Sequence, residues 1–332
     1  MAEKKHLSET KYLYLGIDVG GTSVKEGLFT AKGELLSKVS VPTPPLVDEV
    51  GYGAVTGGIR ELLKDAHVEV EALRGIGLAV PCPVPADGDI KVQANIKLDF
   101  PGLTSALKIA FPQASVRYEN DANAAALGEL WQGAAAGKRS LVFITLGTGV
   151  GGGIVVDGKI VSGANGSAGE IGHMCLNPDE QRTCGCGGKG HLEQYSSASG
   201  LVSSYRLECA KRGVEPAELS GPSDSITVFD LCRSGDECAL AAMGTMVDYL
   251  ARAMSIISAV VDPEEFVLGG GTSGAADVFL QPLKEAYQGY ALKSCVDTPI
   301  VVASLGNDAG IIGAAYVALS AAFESLNSVK EE

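Results

Sequence analysis

The sequence predicts an α/β protein of two lobes, and three observations carry that expectation. A strand running into a glycine turn occurs twice, as Ile17-Asp-Val-Gly-Gly-Thr22 and as Ile144-Thr-Leu-Gly-Thr-Gly149, with 127 residues between the two starts. That recurrence points to an internal duplication. Helical stretches alternate with β-rich ones after each copy, the order expected when helices cover a sheet. The chain of 332 residues is 46% hydrophobic, enough for two cores at about 150 residues per domain. The expected division is a smaller lobe over residues 11–118, completed by a C-terminal helix over 308–330, and a larger lobe over 119–307, the two facing each other across a cleft.

From Lys11 three β segments follow, Tyr12 to Asp18, Ser23 to Thr30 and Glu34 to Val41, separated by Gly20-Gly21-Thr22 and Ala31-Lys32-Gly33. Such short turns predict an antiparallel meander. A helix is expected over about Val47 to Ala66, then a strand at Gly75 to Val80 that the loop Pro81-Cys82-Pro83-Val84-Pro85 breaks. A helix from about Leu103 to Phe111 and a short strand from Ser115 to Tyr118 lead to Glu119-Asn120-Asp121-Ala122-Asn123. There Asn120 or Asp121 can cap an alanine-rich helix reaching Gly133. The second copy runs through strands at Leu141 to Leu146, Gly153 to Val156 and Lys159 to Val161, the last two joined by an Asp157-Gly158 hairpin turn. A cysteine-containing loop, several helices, strands at Glu265 to Leu268 and Pro299 to Ala303, and a closing helix from about Asp308 to Ser325 finish the chain.

Lys and Arg number 26 against 40 Asp and Glu, a net charge of −14, which repels nucleic acid and anionic lipid and argues against either as a partner. No apolar run approaches the roughly 20 residues that span a bilayer. The longest is Met254 to Val261, and Met1 to Lys11 lacks the apolar centre of a signal peptide, so a cytoplasmic protein is expected. Eight cysteines are too few for a disulfide scaffold in a chain of this size, and the spacing Cys184-Gly-Cys186 suits a metal better than a bridge.

The segment Gly147-Thr-Gly149-Val-Gly-Gly152 contains G-x-G-x-x-G after a strand. A dinucleotide fold needs a helix to open at the third glycine, whereas Ile154 to Val161 reads as a hairpin. A glycine turn between strands still lets backbone N–H groups cradle phosphate oxygens, here and at Asp18-Val-Gly-Gly-Thr22; ordinary hairpin glycines are the plain alternative. Asp18 ends its strand just before such a turn, where a carboxylate can hold magnesium through water or form an Asx turn. Asp121 stands at a strand-to-helix junction, where it can accept a proton from a substrate hydroxyl or serve only as a cap. Asn120 beside it offers donors and an acceptor suited to sugar hydroxyls.

His173, Cys184, Cys186 and His191 supply four ligands within 19 residues of a glycine-rich loop spanning 173–193. Tetrahedral structural zinc fits that set, with Cys175 as a substitute ligand and unliganded thiols as the alternative. A closed metal loop would position Glu170 and Glu193 to bridge sugar hydroxyls, unless Glu193 is simply solvated. Phe266-Val-Leu-Gly-Gly-Gly-Thr-Ser273 places bare backbone at Gly269, Gly270 and Gly271, against which a flat ring, a ribose or a neighbouring chain segment can pack.

Together these pieces resemble the ROK family of bacterial sugar kinases and repressors, over about Tyr12 to Ser325. Leu146 to His173, with Gly149, Gly151, Gly163, Gly169 and Gly172 at the family's spacings, resembles the family signature. The similarity extends to Leu15-Gly-Ile-Asp-Val-Gly-Gly-Thr22, Glu119-Asn-Asp-Ala-Asn123, Cys184-Gly-Cys-Gly-Gly-Lys-Gly-His-Leu-Glu193 and Asn307-Asp-Ala-Gly-Ile-Ile-Gly-Ala314.

The resemblance implies an actin-like ATPase (ribonuclease H-like) fold with ATP and sugar bound in the interdomain cleft. It implies Asp121 as general base and a sugar held by Asn95, Asn120, Asp121, Glu170, His173 and Glu193. ATP and Mg2+ fall to Asp18, Gly20, Gly21, Thr22, Lys25, Gly147, Thr148, Gly149, Gly269, Gly270 and Gly271, and structural Zn2+ to His173, Cys184, Cys186 and His191. A homodimer is implied as well. The implied reaction is phosphorylation of glucose at O6, with N-acetylmannosamine, N-acetylglucosamine and fructose as alternative acceptors. Many ROK relatives are sugar-responsive repressors with a helix-turn-helix before the kinase-like part. About ten residues precede the first strand here, too few for three helices, so a sensor or repressor is the less favoured reading. Two positions depart from the family pattern: His191 stands where cysteine is usual, and Cys82 stands where Pro-Gly-Pro is usual, a side chain that would narrow the sugar pocket.

Overall fold

Two five-stranded sheets of the same topology organise the computed structural model, which describes residues 12–88, 90, 97–219, 221 and 224–328. The first sheet holds β1 (Leu13–Val19), β2 (Ser23–Thr30), β3 (Leu35–Pro42), β4 (Leu73–Val80) and β5 (Ser115–Asn120) in the order β3-β2-β1-β4-β5. The second holds β6 (Leu141–Leu146), β7 (Val150–Val156), β8 (Lys159–Ile160), β9 (Phe266–Gly269) and β10 (Ile300–Val302) in the order β10-β9-β6-β7-β8. In each, the central strand runs antiparallel to the strand that follows its glycine turn, β1 to β2 and β6 to β7. It runs parallel to its other neighbour, β4 or β9. The two sequence copies thus occupy equivalent places in the two sheets, and the meander over β1–β3 is antiparallel as its turns predict.

The chain divides into two compact units. Residues up to Gly137, 160–168 and those from Ser304 onward make the first; 138–159 and 169–303 make the second. In the first unit, β1 is covered on both faces, so its residues read as a nearly continuous apolar run. Leu13, Leu15 and Ile17 pack with Tyr52, Val55, Ile59, Leu62 and Leu63 of α1 (Glu49–Asp65) and with Leu103 and Leu107 of α2 (Phe100–Ala110). Tyr14, on the opposite face by the two-residue period of a strand, packs with Ala318 and Leu319 of α9 (Ala309–Ser328). Asp48 caps α1 by accepting from the amides of Val50 and Gly51, and Asp99 caps α2 from Gly102.

The unit boundary lies at Gly137/Lys138. The reason is α3 (Asp121–Gln132), whose alanine face packs with α9: Ala79, Ala124 and Ala314 form one buried cluster. Small side chains allow that helix–helix approach, so α3 belongs with the sheet that α9 covers, and both helices lie in the first unit.

The second unit carries α4 (Glu193–Ser196), α5 (Ala198–Arg212), α6 (Asp224–Arg233), α7 (Glu237–Val261) and α8 (Ala276–Tyr290). Helix α7 has 25 residues and is apolar enough to cross a membrane by length and composition, a longer run than the sequence pattern isolated. Its Ala239, Ala242, Met246, Leu250, Ala253 and Ile257 are buried in the core with Leu201 of α5 and Phe279 of α8. That burial identifies a core helix.

Candidate active site

In the first unit the turn after β1 is held from both sides. Gly20 donates its amide to the Ser23 carbonyl at 3.0 Å, while Thr43 donates through Oγ1 to the Gly20 carbonyl at 2.6 Å and through its amide to the Thr22 carbonyl at 3.1 Å. Gly21 and Thr22 are exposed at the tip. Asp18 lies at the end of β1, directly across the ladder from Lys25, with its carboxylate 3.7 Å from Nζ. Burial pushes the Asp18 carboxyl above its usual range, and the Lys25 ammonium opposes that shift. Lys25 also donates to the Asn307 carbonyl at 3.0 Å, just before the start of α9.

At the β5–α3 junction the capping question has a definite answer. Asn120 is the N-cap: its Oδ1 accepts from the amides of Ala122 (3.0 Å) and Asn123 (3.1 Å), and its Nδ2 donates to the Cys82 carbonyl at 3.3 Å. Asp121 is therefore the first helical residue, exposed, with Oδ1 accepting from the Ala122 amide at 2.8 Å. Behind it lies a support that the sequence did not single out. The buried Glu119 accepts at Oε1 from the Asn120 amide and from Asn123 Nδ2, both at 2.9 Å, and burial raises its carboxyl above the usual range. Asn95, expected on the sugar, lies outside the described residues.

In the second unit, His173, Cys184, Cys186 and His191 form one cluster. His173 ends a short 3-10 turn over Ile171–His173 that lies directly on β7; a Cβ on Gly172 would stand 2.0 Å from the Val150 carbonyl oxygen, so only glycine allows that approach. His173 Nδ1 is 3.4 Å from His191 Nδ1 and 3.8 Å from Cys184 Sγ, while Cys186 Sγ is 3.5 Å from Cys184 Sγ and 3.4 Å from His191 Nδ1. Zinc bonds of about 2.0–2.3 Å in a tetrahedron place such donors about 3.3–3.8 Å apart, so these four residues fit that ion. Cys175 is outside this ligand group; its backbone pairs with that of His191.

Glu193 joins the cluster to the β6–β7 turn. One of its oxygens receives the Cys184 thiol at 3.4 Å, and the other accepts the Val150 amide at 3.2 Å. Glu170 Oε2 lies 3.9 Å from His173 Nε2. The turn itself is buttressed by the start of α5: Ala198 donates to the Gly147 carbonyl at 2.8 Å and Ser199 to that of Thr148 at 2.6 Å. Gly269 packs beneath the Phe143 ring, where a Cβ would stand 2.5 Å from it, so its glycine already has a packing reason; Gly270 and Gly271 are exposed.

A second set of contacts closes the loop that carries the Cys/His cluster and has no sequence signal beyond its polarity. Gln194 accepts from the His191 amide at 3.1 Å and donates to the Arg182 carbonyl at 2.9 Å. Tyr195 donates to Glu180 at 2.7 Å and stacks on Tyr249 at 3.7 Å between ring centres. Arg182, bonded to Glu180 at 2.6 Å, holds that carboxyl well below its usual range.

The family model of the ROK family matches residues 14–321. A glucokinase of Halalkalibacterium halodurans is 38% identical over 323 residues, covering 92% of this chain and 94% of its own. The crystal structure of a ROK hexokinase from Thermus thermophilus superposes with a TM-score of 0.78 at 35% identity, covering 93% of this chain and 99% of that one. A ROK family glucokinase from Streptomyces griseus, solved in complex with glucose and AMPPNP, gives a TM-score of 0.71 at 29% identity, with 92% and 98% covered. On a match that spans nearly the whole sequence, and with each sheet built as described, the chain belongs to the ROK family and has its actin-like ATPase fold.

Proposed function

We propose that the protein is an ATP-dependent hexose kinase that transfers the γ-phosphate of ATP to the 6-hydroxyl of glucose. The observation that carries this reading is the division of labour at the β5–α3 junction. Asn120 caps the helix through the amides of Ala122 and Asn123, and the exposed Asp121 carboxylate stands beside it at the first helical position, with Oδ1 accepting the Ala122 amide. The amide-rich end of α3 favours an anion there. Asp121 takes the proton of the sugar's primary hydroxyl while that oxygen attacks the γ-phosphorus and ADP leaves.

The turn amides at Gly20, Gly21 and Thr22, and those at Gly147, Thr148 and Gly149, are the groups that would receive phosphate oxygens, with Lys25 adding a positive charge. Magnesium bound with ATP supplies charge neutralisation on the transferring group, and Asp18 is the carboxylate suited to hold it through water. Bare backbone at Gly269, Gly270 and Gly271 is the proposed contact for the nucleoside. Asn120 and Asp121, with Glu170, His173 and Glu193, are the proposed sugar contacts, together with Asn95. Zinc on His173, Cys184, Cys186 and His191 would fix the loop that carries Glu193. A cytoplasmic homodimer acting in carbohydrate metabolism, at the entry to glycolysis, completes the reading.

ADP release with Mg-ATP against glucose, mannose, fructose, N-acetylglucosamine, N-acetylmannosamine and a blank tests the proposal. Turnover with glucose far above the blank is expected. Turnover with another sugar of the panel would replace the substrate, and none at all would leave a non-catalytic sugar sensor as the better reading.

A further inference from the structure

Glu129 lies on α3, eight residues beyond Asp121, and its side chain is 0% exposed. Its carboxylate collects four donors. Oε2 accepts from the amide of Ala134 at 2.7 Å, the amide of Ser304 at 3.2 Å and the hydroxyl of Ser304 at 3.3 Å; Oε1 accepts from the amide of Leu305 at 2.9 Å. Burying a carboxylate is costly unless its lone pairs are met, so this concentration of donors is a built arrangement. Gly133 makes room for it, since a Cβ there would lie 2.1 Å from Oε2.

The partners are not scattered. Ala134 precedes the point after Gly137 where the chain first leaves the first unit, and Ser304 and Leu305 are the first residues of its final return. The returning segment then runs past Gly306, whose positive φ of 54° turns it, to Asn307, whose carbonyl receives Lys25 Nζ, and to Asp308, which pairs with Lys38 at 2.8 Å. At its end α9 begins, with Gly310 so close to Asp18 that a Cβ would lie 2.9 Å from the carboxylate carbon. One buried group thus fixes the start of a short strap whose other end is fastened to Asp18 and Lys25.

We propose that Glu129 is a positioning residue for nucleotide phosphates: it holds residues 304–308 in place, so that the Asn307 carbonyl and the first turn of α9 stay against Lys25 and Asp18. The proposal rests on the assignment of Asp18 and Lys25 to Mg-ATP. It bears on nucleotide before sugar, because the strap is fastened to Lys25 through the Asn307 carbonyl and lies against Asp18 at Gly310.

The test is Glu129→Gln, which keeps the shape but turns an amide NH2 toward donors. Loss of hydrogen bonds to a charged group predicts Mg-ATP affinity, by calorimetry and as KM, weaker by about tenfold. KM for the sugar should stay within about twofold, inside the scatter of a neutral surface change. Hydrogen exchange at the Ser304 and Leu305 amides should accelerate while that at Val142 and Ile144 in β6 does not. Ser304→Ala, which removes one donor of four, should weaken Mg-ATP in the same direction by a smaller factor, and it carries the test if Glu129→Gln fails to fold. Unchanged Mg-ATP affinity in a folded variant, or equal losses for nucleotide and sugar, overturns the proposal. Because calorimetry needs no turnover, a wild-type protein that binds Mg-ATP yet phosphorylates no sugar would sink the kinase reading and leave this one standing on its own result.

Discussion

Glu193 occupies the space that a side chain on Gly149 would need: a Cβ there would lie 2.1 Å from Glu193 Oε2, the oxygen that accepts the Val150 amide. The other oxygen meets Cys184 of the Cys/His cluster. The proposed phosphate turn and the proposed sugar carboxylate are therefore set by one contact, and neither can shift without the other.

Gly149→Ala should move that carboxylate. Overpacking of this kind costs about 1–3 kcal/mol, and we expect kcat/KM to fall by about tenfold or more. Gly21→Ala is the control, because nothing lies within 4 Å of its added Cβ. Its unfolding midpoint should match the wild type, whereas KM for Mg-ATP should rise if phosphate approaches that turn closely. A Gly149→Ala enzyme with wild-type kinetics for both substrates would show that the contact has no functional weight.

Asp121 and Asn120 are adjacent but should fail differently. Asp121→Asn is expected to lower kcat by more than about 10²-fold, the lower range of general-base catalysis, with little change in thermal stability. Asn120→Ala removes the cap and should cost about 1 kcal/mol of stability. Near-wild-type kcat in Asp121→Asn would remove the base assignment.

These cases show what the sequence carries and what it leaves out. Turn residues and the β-rich runs they bound place β2 at Ser23–Thr30 and β6 at Leu141–Leu146, because both signals are local. The spacing of Cys184, Cys186 and His191 marks a compact Cys/His cluster for the same reason. The packing of α3 on α9 was not legible, since it joins residues nearly 200 apart in sequence. Glu119, Gln194 and Glu129 were invisible for a related reason. Each is an ordinary polar residue on a helix or strand, and only the tertiary structure supplies its partners.

Metal should be present and separable from folding. We expect about one zinc per chain by elemental analysis, with Cys186→Ser binding it far more weakly and His191→Cys retaining it. The loop has a second closure through Gln194 and the Glu180–Tyr195 pair. Chelation should therefore raise KM for the sugar, through Glu193, while far-ultraviolet dichroism stays constant. A chain purified under metal-replete conditions without zinc would exclude the site.

The stability of the first unit should carry a pH signature from Glu26. This residue is 1% exposed on β2, its Oε2 has no hydrogen-bond partner among the described residues, and it faces Gly58 of α1, where a Cβ would lie 2.7 Å from that oxygen. Burial, with Glu61 adding like charge, pushes its carboxyl from 4.5 to about 8. Between those values the folded chain holds a proton that the unfolded chain has released. Stability is thus fully present below about 4.5, declines as the pH rises and levels off above about 8. At 1.36 kcal/mol per pH unit the loss amounts to a few kcal/mol. Glu26→Gln cannot ionise, so its urea midpoint should vary less between pH 5 and 9 and should exceed that of the wild type at the alkaline end. A wild-type slope retained in the variant would assign the pH dependence to another group.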